Sequence, residues 1–273
     1  GTYYDATEPM GVPPPPAPWV QDPSEEAGPH RTTVRGGLTF VVLTAGSNHA
    51  CGLDPVGRAY CWGSNGSGQL GDHTGVVWTP RILEVNHELT DIEIGRWHSC
   101  ALGKQGDIWC WGGNNHGQLG NGSAGSIASP TPVELDQSAV ALSTSATNTC
   151  ALTKQGDVYC WGGFTSDRAS STSPRHIELP EKAAHIEASA GLGCALLENR
   201  QLHCWGGHFG PTPQRIATDS EVTGLCESKV GMCLVSTDGS VHWLSPVVEQ
   251  RSKNWTARPV VIEDMHPTGG TNR

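Results

Sequence analysis

Three observations predict an all-β fold of the β-propeller class. One hairpin unit recurs five times, its period is roughly 40–50 residues, and turn formers dominate the composition. The units begin at Cys51, Cys100, Cys150, Cys194 and Cys233, while 35 glycines and 19 prolines leave little room for long helices. Five units make five blades the simplest count; a sixth assembled from the termini is the alternative.

The unit is clearest between Cys100 and Gly120. Cys100-Ala101-Leu102 and Ile108-Trp109-Cys110 read as strands joined by Lys104-Gln105-Gly106. Glycine last in such a link supplies the positive φ that a tight hairpin needs. Folding about Gln105 sets Cys100 opposite Cys110, at a separation of about 4.5–5.5 Å that a disulfide spans. The same spacing pairs Cys51 with Cys61, Cys150 with Cys160 and Cys194 with Cys204. Gly57, Gly106, Gly156 and Gly239 fill the turn slot, and Arg200 is the exception. Trp62, Trp111, Trp161 and Trp205 follow the second cysteine, each before a glycine. A proline three residues before an aliphatic one closes each unit: Pro80/Leu83, Pro132/Leu135, Pro174/Ile177, Pro213/Ile216 and Pro259/Ile262. The last unit has Trp243 where its second cysteine should stand. Cys226 is then the mate of Cys233, and no thiol is left over.

These residues resemble a known repeat. His49-Ala50-Cys51-Gly52-Leu53, Ala59-Tyr60-Cys61-Trp62-Gly63 and Gly68-Gln69-Leu70-Gly71 look like the regulator-of-chromosome-condensation repeat, and His98 to Gly120 matches better still. The resemblance covers about residues 37 to 264 and implies four-stranded blades around an axis. It points to the bacterial, extracytoplasmic, disulfide-containing branch. It does not carry nucleotide exchange with it, because one fold hosts many functions.

The expected organisation is an extended arm over 1–36, a propeller over 37–264 and a tail over 265–273. Repeats fall near 44–92, 93–140, 141–186, 187–225 and 226–264. The arm contains Val12 to Pro18, a proline run that favours an extended spacer or a segment lying along a partner. Tyr3, Tyr4, Pro14, Pro15 and Trp19 are its candidate anchors. Leu38 to Leu43 reads as a strand expected to complete the last blade and close the ring. The third unit loses the Gly-Gln-Leu-Gly turn, reading Phe164 to Arg168 there, and the later units depart further from the pattern.

Ten cysteines in five pairs, none at the close spacing of a zinc or redox site, favour an oxidising compartment. The expectation is periplasm or cell surface in a bacterium, or the secretory pathway in a eukaryote. The chain starts at Gly1 without a signal peptide, as a processed chain would, and a lipidated cysteine just before it fits that reading. No run of eighteen apolar residues is present to span a membrane. A net charge of −10 disfavours nucleic acid, which needs a positive footprint.

Twelve histidines show no metal-ligand spacing, and the slot that His49 and His98 share with the resembling family implies packed structural residues. Asp91/Glu93 and Glu25/Glu26 read as solvated surface charge, and no nucleophile elbow or phosphate-cradling loop occurs. No catalytic, metal or cofactor residue is expected. The slot that the four repeat tryptophans hold in the resembling family implies packing between blades, so they read as core. The off-pattern Trp78, Trp97 and Trp255 join Trp19 as partner contacts, because tryptophan is enriched at binding hot spots. Asn65, Asn121 and Asn254 match glycosylation acceptors, which count only in a eukaryotic secretory pathway; in a bacterium they are chance turn chemistry. The function expected is a non-catalytic, protein-binding propeller serving as an accessory or scaffolding subunit of a membrane-associated assembly. A secreted inhibitor or carbohydrate-binding lectin is the alternative, and a hydrolase or lyase in the funnel ranks last.

Overall fold

The computed structural model describes residues 37–164, 170–189, 191–218, 220–228, 231–244 and 258–259. These residues belong to the compact unit Val34–Arg273. Tyr3, Tyr4, Pro14, Pro15, Trp19, Glu25, Glu26, Asn254 and Trp255 lie outside them.

Five antiparallel four-stranded sheets form the blades, each strand pairing with the next. Blade 1 comprises β1 (Val42–Ala45), β2 (His49–Leu53), β3 (Ala59–Gly63) and β4 (Val77–Ile82). Blade 2 holds β5 (Leu89–Ile94), β6 (His98–Gly103), β7 (Ile108–Gly112) and β8 (Ile127–Val133). In blade 3 follow β9 (Ala139–Thr144), β10 (Asn148–Thr153), β11 (Val158–Gly162) and β12 (Ser171–Ile177). Blade 4 contains β13 (Ala183–Ser189), β14 (Leu192–Leu197), β15 (Leu202–Gly206) and β16 (Gln214–Ile216). Blade 5 is built from β17 (Val222–Ser228), β18 (Gly231–Ser236), β19 (Val241–Leu244) and β20 (Arg258–Pro259). The first strands of neighbouring blades pack on one another, which puts them around the axis. No described helix is long and apolar enough to cross a membrane.

The hairpin register follows from the turn. Cys100 faces Cys110 and Leu102 faces Ile108, with Gly106 at φ 85° closing the link through its N–H to Gly103 O. Four disulfides join second and third strands in this way. Cys226–Cys233 instead joins β17 to β18, and Trp243 pairs with Cys233 in the register. Arg200, at φ 66°, is the non-glycine residue with positive φ among those described. A Cβ there crowds the backbone, and its exposed pair with Glu221, at 3.5 Å, contributes little. Arg200→Gly is expected to raise stability by about 0.5–1 kcal/mol, net of glycine's extra chain entropy. A lower melting temperature than the parent chain would rule that out.

Blades adhere through a repeated polar relay over an apolar core. Trp111 and Trp161 are fully buried, and each indole N–H donates to the carbonyl of a glutamine in the preceding blade, Gln69 at 2.9 Å and Gln118 at 2.8 Å. Ser99 and Thr149 donate to the same two carbonyls. Their hydroxyls therefore accept from Nε2 of His49, at 2.9 Å, and of His98, at 3.0 Å. The Gly-Gln-Leu-Gly turn thus receives two donors from the next blade. In blade 3 the corresponding connection, 163–170, is shorter than 64–76 and 113–126. Trp205 Nε1 has no acceptor among the described residues.

One expectation is corrected. The strand near Leu38 to Leu43 does not complete blade 5: β1 pairs with β2, setting Val42 against Leu53. Pairing with the adjacent hairpin needs only a short link, whereas ring closure needs a distant partner. Leu43 holds the slot that Ile92, Leu142 and Ile186 fill in later blades, yet it is 58% exposed where they are buried. Phe40 covers part of this face, stacking on Trp62 at 5.7 Å. Trp62 is therefore only half-buried, unlike the other repeat tryptophans.

Candidate binding site

One end of the wheel carries the links between first and second strands together with the long connections after each third strand. Blade 2 places Arg96-Trp97 on the first kind of link and Asn115-His116 on the second. Together with Ser67 of blade 1 and Ala146-Thr147 of blade 3, they frame a cleft of about 330 Å³. Trp97 is 38% exposed, and the Arg96 guanidinium carbon lies 5.3 Å from its ring centroid. Gly113 permits this placement, since a Cβ there would come within 3.0 Å of Trp97 Cβ.

The turn itself does not need these side chains. Asn114 accepts from Leu119 N–H and donates to the carbonyls of Ser123 and Gly125, while Gln118 accepts from His116 N–H. Asn65 and Gln69 make the equivalent bonds in blade 1. Asn65 is accordingly buried with its amide nitrogen committed, so a glycan there would break the turn. Asn121 is half-buried and accepts from the hydroxyl and N–H of Ser123.

Trp78 lies on β4, the outer strand of blade 1, and is 82% exposed. It does not line the cleft, so the two described candidate tryptophans occupy separate places.

His49 and His98 are sealed between blades, and burial lowers their pKa values to about 4 and about 3. Both are neutral imidazoles that use Nε2 as donor, with Nδ1 unpartnered among the described residues. The carboxylate reading needs a larger correction. Asp91 and Glu93 on β5 are half-buried, and Glu93 senses Glu187 on β13 and Glu227 on β17. Burial first, then these negative neighbours, pushes Glu93 up to about 8. Partial desolvation and then the Glu187 charge raise Glu227 to about 7 although its surface is exposed, and burial raises Glu187, which accepts from Ser143 Oγ at 3.1 Å. Linear spacing cannot reveal this cluster, because its members come from three blades. Equivalence of the first strands was the available signal: Glu93 and Glu187 face the same repeat cysteine position, Cys100 and Cys194.

A second cleft, about 200 Å³ between blades 3 and 4, is lined by Phe164, His176, Glu178, Trp205 and Pro213. His176 pairs there with exposed Glu178 at 3.0 Å, and Lys182 holds Asp157 at 2.6 Å. Among the described residues, no group of three His, Cys, Asp or Glu is arranged to hold a metal ion.

Comparison with known proteins agrees with this architecture. Two models of the regulator of chromosome condensation repeat match, one at 40–69, 89–118 and 139–166, the other at 56–102 and 105–152. Among solved structures, human WBSCR16 superposes with a TM-score of 0.67 at 17% identity, over 76% of this chain and 61% of that one. Prp20p of Saccharomyces cerevisiae, a protein with binding properties to Gsp1p and histones, gives 0.61 at 21%, over 70% and 54%. The receptor kinase CR4 ectodomain of Physcomitrella patens gives 0.52 at 23%, over 74% and 50%. This chain thus spans about half to three-fifths of their lengths. No curated protein matches it in sequence.

Proposed function

This chain belongs to the regulator of chromosome condensation repeat β-propellers, and from that premise we propose that it is a non-catalytic protein-binding wheel. The observation that carries the reading is the Arg96–Trp97 cleft, where two of the residue types enriched at binding hot spots stand exposed on a disulfide-stapled frame. Propellers of this kind bind protein partners, as the yeast protein bound to Kap60 does. The paired cysteines support an oxidising, extracytoplasmic setting, with the wheel as an accessory or scaffolding subunit of a membrane-associated assembly. The shifted histidines support a structural duty, because each commits Nε2 to a neighbouring blade.

A lectin is the second reading, since Trp97 beside Asn115 and His116 could stack on a sugar ring. Among the lining residues of that cleft Trp97 is the lone tryptophan, tyrosine or phenylalanine, which favours protein. The test purifies the wild-type chain and an Arg96→Ala/Trp97→Ala variant, without reductant, from membranes of its own cells. A stoichiometric companion chain is expected with the wild type and lost with the variant. Alkylation before reduction should leave all ten cysteines unlabelled. A wild-type chain that elutes alone, or one whose thiols label, overturns the proposal.

A further inference from the structure

We infer that the blade 2 cleft binds a carboxylate presented by an acidic peptide segment of the partner, an assignment that rests on the protein-binding reading above. The repeat supplies an internal control. Where blade 2 has Arg96-Trp97, blade 1 has Ser47-Asn48 and blade 3 has Ala146-Thr147, and both blades fold with the same register. Where blade 2 has Asn115-His116, blade 1 has Gly66-Ser67, and the turn bonds are unchanged. Folding therefore asks for none of these four side chains. All four are exposed, and all four line one cleft.

Arg96 sets the ligand's charge. In a chain of net charge −10, Arg58, Arg81, Lys104, Lys182 and Arg200 each pair with a carboxylate. No carboxylate among the described residues pairs with Arg96, whose described contact is the Trp97 ring. A guanidinium held against an aromatic ring keeps its planar fork of N–H donors available for an oxyanion, and a carboxylate fits that fork bidentately. The Asn115 amide and the Ser67 hydroxyl line the same cleft and add neutral donors. The Trp97 ring supplies apolar area for the methylenes of a glutamate or the flanking peptide. An isolated cation on an acidic surface also selects: a uniformly acidic partner is repelled elsewhere, so recognition falls on the segment that reaches Arg96.

The experiment follows tryptophan indole N–H signals of the whole chain by ¹H–¹⁵N NMR, with Trp97 assigned through Trp97→Phe. Acetylated, amidated hexaglutamate is the probe; hexaglutamine, inorganic phosphate and hexagalacturonate are the comparison arms. A saturable shift of the Trp97 signal with hexaglutamate is expected, weakened about tenfold or more in Arg96→Gln. Unchanged Trp111 and Trp161 signals confirm that the variant is folded. No shift, an equal shift with hexaglutamine, or equal affinity in Arg96→Gln overturns the assignment. A stronger response to phosphate or galacturonate overturns it too, in favour of that ligand. If hexaglutamate fails while the companion chain still depends on Trp97, the carboxylate assignment falls and the protein-binding reading stands. Loss of that dependence fails the reading itself.

Discussion

Trp161→Ala is expected to cost about 3–5 kcal/mol in urea denaturation with the disulfides intact, whereas Trp62→Ala costs about 1–2 kcal/mol. The two residues share one repeat slot and one sequence context. Trp161 is fully buried, packed with Leu119, Val133 and Leu142 across the junction of blades 2 and 3. Its removal leaves a ring-sized cavity between two stapled sheets that collapse poorly, so cavity and transfer costs add. The lost hydrogen bond matters less, because the Gln118 carbonyl keeps the Thr149 hydroxyl at 3.0 Å. Trp161→Phe isolates that smaller part and should cost about 1–2 kcal/mol, from the bond and the lost ring volume together. Trp62 has Phe40 on one side and solvent on the other, so less apolar area is at stake. Equal costs at the two positions would show that the open face of blade 1 is covered in solution.

Local features of this fold were legible and long-range ones were not. Cys100 opposite Cys110, the glycine turn and the tryptophan slot follow from spacing within one hairpin, where the chain has few alternatives. Arg200 at the turn slot could likewise be flagged, and it takes the left-handed backbone that glycine takes elsewhere. The destination of β1 was misread because a strand signal specifies an edge and not its neighbour. The candidate cleft was half legible. Trp97 stood out by being off the repeat pattern and Arg96 is its chain neighbour, but Asn115 and His116 join them only when blade 2 folds, and Ser67, Ala146 and Thr147 only when three blades are side by side. Trp78 shows the same off-pattern signal and ends on an outer strand, away from the cleft.

Glu93→Gln is expected to stabilise the chain at pH 9 by about 2–4 kcal/mol while changing little at pH 4.5. Burial near the axis first, and then the negative charges of Asp91, Glu187 and Glu227, push the Glu93 pKa up to about 8. A carboxyl with a raised folded-state pKa holds its proton in the native chain after the unfolded chain has released it. Native protein therefore binds more protons between about pH 4.5 and 8, and stability falls as pH rises through that window. A tenfold difference in proton affinity between native and unfolded chain is worth about 1.4 kcal/mol, and partial solvent access reduces the full linkage value to the range given. Glutamine keeps the shape and polarity without the charge, so the difference between variant and parent should grow across the window and level off above it. The histidines act on the other side: His49 and His98, held neutral, cost stability as pH falls below about 6.5, identically in both proteins. Their contribution cancels when the two urea midpoints are compared at matched pH. A constant gap from pH 5 to pH 9 would mean that Glu93 is solvated and that the three blades do not bring their carboxylates together.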